Sequence, residues 1–404
     1  MLRAARVVIT GLGLVLPHGA GLESAEGVFG GRSAVVRLGP WEGLEGVTGA
    51  PAMGFTPLPG TENADRAVQF AAFAADEAWR ESGLVDADID RGRVAVLVSL
   101  SKGGMANLAR LAAGEAVGDP AWAALAPDAA ARTVAARLGA RGPVAAPVTA
   151  CASGGHALIW GARLLMRGAA DVAVVGAAEA SLCPMVIGSY RRMGVLAPAG
   201  DDPGASVRPF SRTRRGFAIG EGAGVLVLES GESAVRREER VLAEVAGWAS
   251  GNHAAGLTDL EVDGSALAHL VGESLRRAGA NPGDVDYIHA HGTATPVNDL
   301  AEARAIRAAL GASADGVSVS STKGAHGHLL GAATAAELVL TVLAMGRGEV
   351  PPTANLTDPD PAIDLDCTPL ASRRRRIGTA LKIASGFGGH SLAVCLRGAG
   401  EAVG

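Results

Sequence analysis

The chain has 404 residues, 48% of them hydrophobic, with a formal net charge of −5, enough to bury a large core as one domain or two closely packed halves. It shows no Lys/Arg tract of the kind that binds nucleic acid and no apolar run of membrane-spanning length. Its four cysteines (Cys151, Cys183, Cys367 and Cys395) have neither CxxC nor Cys/His zinc spacing, so no structural metal is expected and the protein reads as reduced and cytoplasmic.

In chain order, Val7-Val-Ile-Thr-Gly-Leu-Gly13 reads as a buried strand running into a glycine turn. The hydrophobic positions between Ala64 and Ser82 recur at helical spacing, and Val94–Ser99 forms an apolar strand. The Ala-rich region from Gly104 to Leu138 predicts helix in pieces. Asp171–Gly176 and Ala223–Glu229 predict further buried strands, and the rhythm then repeats. Val241–Trp248, Val285–His291, Thr379–Ser385 and Leu392–Arg397 read as strands, and Leu329–Met345 as a buried helix. Alternating buried strands and helices predict α/β layering with helices between sheets. Two duplicated halves, residues 1–240 and 241–404, are expected, with no disordered linker between them. The run Arg373–Arg376 reads as a solvated turn or a patch for an acidic partner.

The chemistry gathers around Val148-Thr-Ala-Cys151-Ala-Ser-Gly-Gly155. Cys151 stands at the first turn of an apolar helix running through Met166, where unpaired N–H groups and the helix dipole favour a thiolate. A lone cysteine in such a helix is more often structural. Three distant stretches weigh against that reading here: His289-Ala-His291-Gly-Thr-Ala-Thr-Pro296, Lys323-Gly-Ala-His326-Gly-His328-Leu-Leu-Gly331 and Gly386-Phe-Gly-Gly389. Each places polar or small residues at the end of a buried element, where sheet-based sites collect their groups. His289 alternates onto the opposite strand face from His291 and reads as structural. Lysine occurs only at Lys102, Lys323 and Lys382, so each is expected to have a specific task.

These four motifs in this order resemble the β-ketoacyl synthases (ketosynthases) of the thiolase superfamily, of the fatty-acid elongation and polyketide type. The resemblance spans Val7 to Arg397. It implies a five-layered αβαβα fold built from the two halves, and a homodimer. It implies that Cys151 is the acyl-accepting nucleophile and that His291 and His328 polarise the extender thioester. Lys323 would match the family lysine, and Glu337 its supporting salt-bridge partner. Thr293 and Thr295 would bind the pantetheine arm. Phe387 would gate the acyl entrance, its backbone N–H joining that of Cys151 in the oxyanion hole. No resident cofactor or metal is implied, because the phosphopantetheine arm arrives with the acyl carrier protein, the expected partner. No nucleic-acid or membrane partner is expected.

The pattern departs from that family at several points. Lys102 falls at the expected floor of the acyl pocket, and Tyr190 where phenylalanine is usual, which implies a shorter, more polar pocket than fatty-acid elongation needs. His326 stands where a small residue is usual. The Trp122–Arg132 segment is short and Ala-rich, and His390-Ser391 replaces the commoner Thr-Asn after the glycine motif. Decarboxylative condensation in specialised metabolism is therefore the leading expectation. The alternative is intramolecular, aldol-type cyclisation of a Cys-bound β-keto acyl chain to a lactam or β-lactone, as in a salinosporamide-type cyclising ketosynthase. A non-catalytic partner resembling a chain-length factor is disfavoured by Cys151, and a thiolase by the histidine pair.

Overall fold

A computed structural model describes residues 6–39, 41–116, 125–256 and 261–399. Ten strands build the main sheet path: β1 (Val7–Leu16), β2 (Val94–Leu100), β3 (Val144–Ala145), β4 (Val172–Glu179), β5 (Gly222–Ser230), β6 (Ala243–Asn252), β7 (Tyr287–His289), β8 (Ser318–Ser320), β9 (Thr379–Ser385) and β10 (His390–Gly398). Their order is β8-β7-β9-β10-β6-β1-β5-β4-β2-β3. On each side of the β6/β1 junction the order and directions are the same. β1 pairs antiparallel with β5, β5 antiparallel with β4, and β2 lies parallel between β4 and β3. β6, β10, β9, β7 and β8 repeat that pattern. Among the described residues, the two sheets meet only through Val8 opposite Glu244 and Ile9 opposite Ala243.

The long helices are α1 (Arg66–Glu81), α2 (Met105–Ala112), α3 (Ala129–Leu138), α4 (Ser153–Met166), α5 (Pro184–Arg192), α6 (Ser265–Ala278), α7 (Pro296–Leu310) and α9 (Ala333–Arg347), with a single turn α8 at Lys323–His326. α1 starts where the Asp65 carboxylate accepts the Ala67 N–H. With α3 it covers the outer face of the first sheet, α6 and α7 cover the second, and α4 and α9 lie side by side between them. The expected five-layered αβαβα arrangement is therefore present, with a hydrophobic core at each of the two outer contacts and a third around the central helices. Strands covered on both faces show why β1, β2, β4 and β9 are buried at every position rather than alternating. Leu330–Arg347 has the length and hydropathy of a membrane span, but 78% of it is buried, as the central layer requires.

The halves also repeat their turns. Ala150–Ala152 and Leu330–Ala332 are 3-10 turns leading into α4 and α9, and each opens on a residue in the left-handed region, Ala150 (φ 49) and Leu330 (φ 46). Such backbone costs about 1–2 kcal/mol for a residue with a Cβ, so surrounding packing must hold it. Two differences from the sequence expectations have local causes. Cys151 occupies the 3-10 turn rather than the first turn of α4. β7 stops at His289 because the N–H groups of His291 and Gly292 turn to the Glu302 carboxylate, at 2.5 and 2.7 Å, instead of continuing the ladder. The Gly104–Leu138 region forms α2 and α3, with residues 117–124, including Trp122, outside the described residues.

Candidate active site

Cys151, His291 and His328 each offer a side-chain atom, and the three atoms lie within 4.8 Å of one another. The first sheet supplies the thiol and the second both imidazoles, so the site straddles the duplicated halves. Cys151 is held by its own turn: the Ser153 hydroxyl accepts the Thr149 N–H and donates to the Ala150 carbonyl. The Thr334 hydroxyl, at the start of α9, donates to the Cys151 carbonyl at 2.7 Å. A cavity of about 430 Å³ reaches these residues and is also lined by Tyr190, Phe217, Thr293, Thr295 and Phe387.

The histidines are neutral donors by construction. Burial draws both well below the ordinary histidine range, and the nearby Lys323 ammonium pushes the same way. The Leu330 N–H donates to His328 Nδ1 at 3.3 Å, which leaves the proton of a neutral ring on Nε2. The two rings meet edge to face with centroids 5.4 Å apart, and Phe217 packs against His328 at 4.9 Å. His291 is placed through its peptide: Glu302 takes its N–H, and the Lys323 ammonium donates to its carbonyl at 2.5 Å. Lys323 also pairs with Glu337 at 2.5 Å, with both side chains buried. Lys323 and Glu337 thus stand behind the cavity, on the far side of the His291 backbone.

Thr293 and Thr295 share a hydroxyl hydrogen bond of 2.9 Å on the cavity wall. Phe387 faces Tyr190 across the cavity with ring centroids 6.2 Å apart. Gly386 lies so close to the nucleophile that an added Cβ would sit 3.1 Å from the Cys151 nitrogen. The N–H groups of Cys151 and Phe387 donate to no protein acceptor among the described residues, so both remain available to a carbonyl oxygen beside the sulfur.

Two sequence expectations change. Burial pushes the Cys151 thiol up to about 11, with Lys102 and Lys323 acting against it, so the resting sulfur is a thiol rather than the thiolate expected at a helix start. Desolvation by the surrounding turn and the second half of the chain is the largest of these influences. The second change concerns Lys102, which does not line the cavity. Its ammonium reaches the Ser101 hydroxyl at 2.6 Å and Glu179 at 3.3 Å. Glu179 also takes the Ser101 and Ser181 hydroxyls and the Gly331 N–H. Tyr190 does line the cavity, and burial pushes its phenol above the usual range, leaving a neutral donor.

Sequence reasoning missed Glu302, Glu179 and Lys382. Lys382 carried a signal in the scarcity of lysine. It is fully buried, and its ammonium lies 2.6 Å from Glu337, which therefore serves two lysines. His289 is buried behind the site as its alternation implied, hydrogen-bonded to Thr341 and Thr322. His326 shares the Thr322 hydroxyl at 2.8 Å, and burial lowers it to about 3.

Comparisons with known proteins agree with this geometry. Residues 4–234 match the family model for the beta-ketoacyl synthase N-terminal domain, and residues 242–357 that for its C-terminal domain. The tetracenomycin polyketide synthase ketoacyl synthase alpha subunit of Streptomyces glaucescens is 36% identical over 411 residues, covering 97% of this chain and 96% of the relative. Among solved structures, a ketosynthase bound to the hexaketide in complex with its type II polyketide acyl-carrier protein (AntDE:AntF) superposes with a TM-score of 0.90 at 35% identity, covering 98% and 100% of the two chains. The ishigamide ketosynthase/chain length factor superposes with a TM-score of 0.87 at 30% identity, covering 98% and 100%.

Proposed function

Because the chain belongs to the β-ketoacyl synthase family, we propose that it is a polyketide-type ketosynthase that loads an acyl chain from a carrier-protein thioester onto Cys151 and extends it by decarboxylative Claisen condensation. The observation that carries this reading is the meeting of Cys151, His291 and His328 within 4.8 Å at the base of a cavity of about 430 Å³.

The chemistry follows from the groups present. In loading, the sulfur attacks the acyl carbonyl, its proton passes to the departing carrier thiol, and the Cys151 acyl thioester remains. Carrying the proton away during attack suits a thiol that burial holds protonated. A malonyl-type unit then loses carbon dioxide, and the electron pair of the broken bond becomes an enolate. Neutral imidazole N–H groups stabilise the enolate oxygen, and the His328 tautomer provides one of them at Nε2. The enolate carbon attacks the acyl thioester. The resulting oxyanion is held by the Cys151 and Phe387 N–H groups, each worth about 3 kcal/mol, until the Cys151 sulfur leaves and regains a proton. Thr293 and Thr295 hold the pantetheine arm at the cavity wall, and Phe387 and Tyr190 bound the acyl chain. This scheme calls on no group beyond the carrier's own phosphopantetheine.

An acyl carrier protein is the proposed partner, as in the AntDE:AntF complex, and a second copy of the chain the proposed dimer mate. The test is intact-protein mass spectrometry with a panel of acyl-carrier thioesters, with and without malonyl carrier. An adduct that disappears with C151A and is released as a longer β-keto product only with malonyl carrier supports condensation. Release of a cyclic product without malonyl carrier overturns it in favour of cyclisation, and absence of any adduct points to a non-catalytic partner.

A further inference from the structure

We propose that Lys382 is a positioning residue for His291, holding with Lys323 and their shared counter-ion Glu337 the backbone segment that presents the imidazole. This inference rests on the reading of His291 as a donor to the extender unit. Three consecutive carbonyls lead into the site. Lys382 Nζ donates to those of His289, at 3.2 Å, and Ala290, at 2.9 Å, and Lys323 Nζ donates to that of His291 at 2.5 Å. Glu337 pairs with Lys323 through Oε1 at 2.5 Å and with Lys382 through Oε2 at 2.6 Å. One carboxylate on α9 therefore ties down two ammoniums, from α8 and β9, and through them every carbonyl from His289 to His291.

The opposite edge of the segment is held as firmly. Glu302 on α7 accepts the N–H groups of His291 and Gly292. The His289 side chain adds a directional chain of hydrogen bonds. The Thr341 hydroxyl donates to the Glu337 carbonyl, so it must accept the His289 Nδ1 proton. His289 Nε2 then accepts from the Thr322 hydroxyl, which in turn accepts the His326 Nε2 proton. Every donor in this chain has one direction open to it, and the chain ends on the residue whose carboxylate binds Lys382.

A buried ammonium inside an apolar strand is costly unless it is paired and hydrogen-bonded, and Lys382 is both. Burial draws it down from the ordinary lysine range while Glu337 opposes that shift. The charged groups facing it are Glu337 on α9, Lys323 on α8 and Glu302 on α7, with the neutral His289 ring beside them. Its contacts hold the two residues that lead into His291 and none is to Cys151, so its loss should affect the step that uses the imidazole and spare the step that uses the sulfur.

The experiment compares wild type, Lys382→Met and Lys382→Arg in two assays, acyl loading of Cys151 and decarboxylation of malonyl carrier. Displacing a donor by about 1 Å costs on the order of 100-fold in rate. The expected result for Lys382→Met is a decarboxylation kcat lower by about that factor, KM for malonyl carrier unchanged and loading within about threefold of wild type, with Lys382→Arg recovering part of the loss. Wild-type decarboxylation by Lys382→Met, or an equal fall in both assays, would overturn the proposal. Should Lys382→Met not accumulate as folded protein, Lys382→Gln supports the same comparison. A wild type that neither loads nor decarboxylates would instead refute the proposed function, so the two failures are distinguishable.

Discussion

Alkylation of Cys151 across pH measures the competition between burial and the helix start. With the thiol raised to about 11, the thiolate fraction at pH 7 is about 0.01%, against ~3% for a free cysteine of pKa about 8.5. That difference alone would slow iodoacetamide by about 300-fold, but a more basic thiolate is also a better nucleophile. A Brønsted slope of about 0.45 returns roughly tenfold, leaving Cys151 some 25-fold slower than a free thiol at pH 7. The stronger expectation is the slope. The rate should climb about tenfold per pH unit from 7 to 10 without a plateau, because the Cys151 thiol itself titrates only above that interval. Removing a favourable ammonium with Lys102→Met should slow alkylation further at every pH in the series. The assay is time-resolved mass spectrometry with peptide mapping, so that Cys183, Cys367 and Cys395 are scored separately. A plateau reached by pH 8 would refute the argument and show that the turn and its dipole outweigh desolvation.

Glu337→Gln should be more damaging than Lys323→Met. The first leaves two buried ammoniums without a counter-charge, at a cost of at least the ~3–5 kcal/mol of breaking a buried pair, whereas the second leaves Glu337 bound to Lys382; denaturant midpoints would separate them. His328→Leu should retain acyl loading but lower malonyl decarboxylation by roughly 10²–10³-fold, the usual effect of losing one preorganised donor, and equal loss in both assays would contradict the assigned tautomer. Gly386→Ala should impair loading while changing melting little, since its added Cβ meets the Cys151 nitrogen and the Thr149 carbonyl oxygen at 3.1 Å rather than a core contact; unchanged loading would show that the Phe387 segment can yield.

Much of the architecture was legible because buried strands and buried helices have unmistakable compositions. β9 was found with the boundaries it has, and the apolar runs after Cys151 and from Leu329 to Met345 marked the two central helices. What could not be read was backbone hydrogen bonding. β7 looked longer than it is because nothing in its sequence announces that Glu302, ten residues past Gly292, takes over the ladder's N–H groups. Burial of Cys151 was unreadable for a related reason, since a local helix start is visible in sequence and packing from a distant half is not. Lys382 shows the opposite case. A lysine in the middle of Thr379–Ser385, in a chain with only two others, was a signal whose meaning waited on the position of Glu337.

The spacing of the reacting groups has an origin away from the site. α9 is met closely where side chains are missing: a Cβ added at Gly154 of α4 would lie 2.5 Å from the Ala335 Cβ, and one at Gly224 of β5 would lie 2.3 Å from the Ala336 nitrogen. These contacts act as a mechanical stop. The cysteine rides on the turn leading into α4 and the Thr334–Glu337 supports of the second half ride on α9, so the depth to which the two helices seat bears on the gap between sulfur and imidazole. A single methyl group inserted there would work as a shim. It would widen the gap between the reacting groups while leaving every one of them in place, and the enzyme would lose rate without losing any residue that reacts.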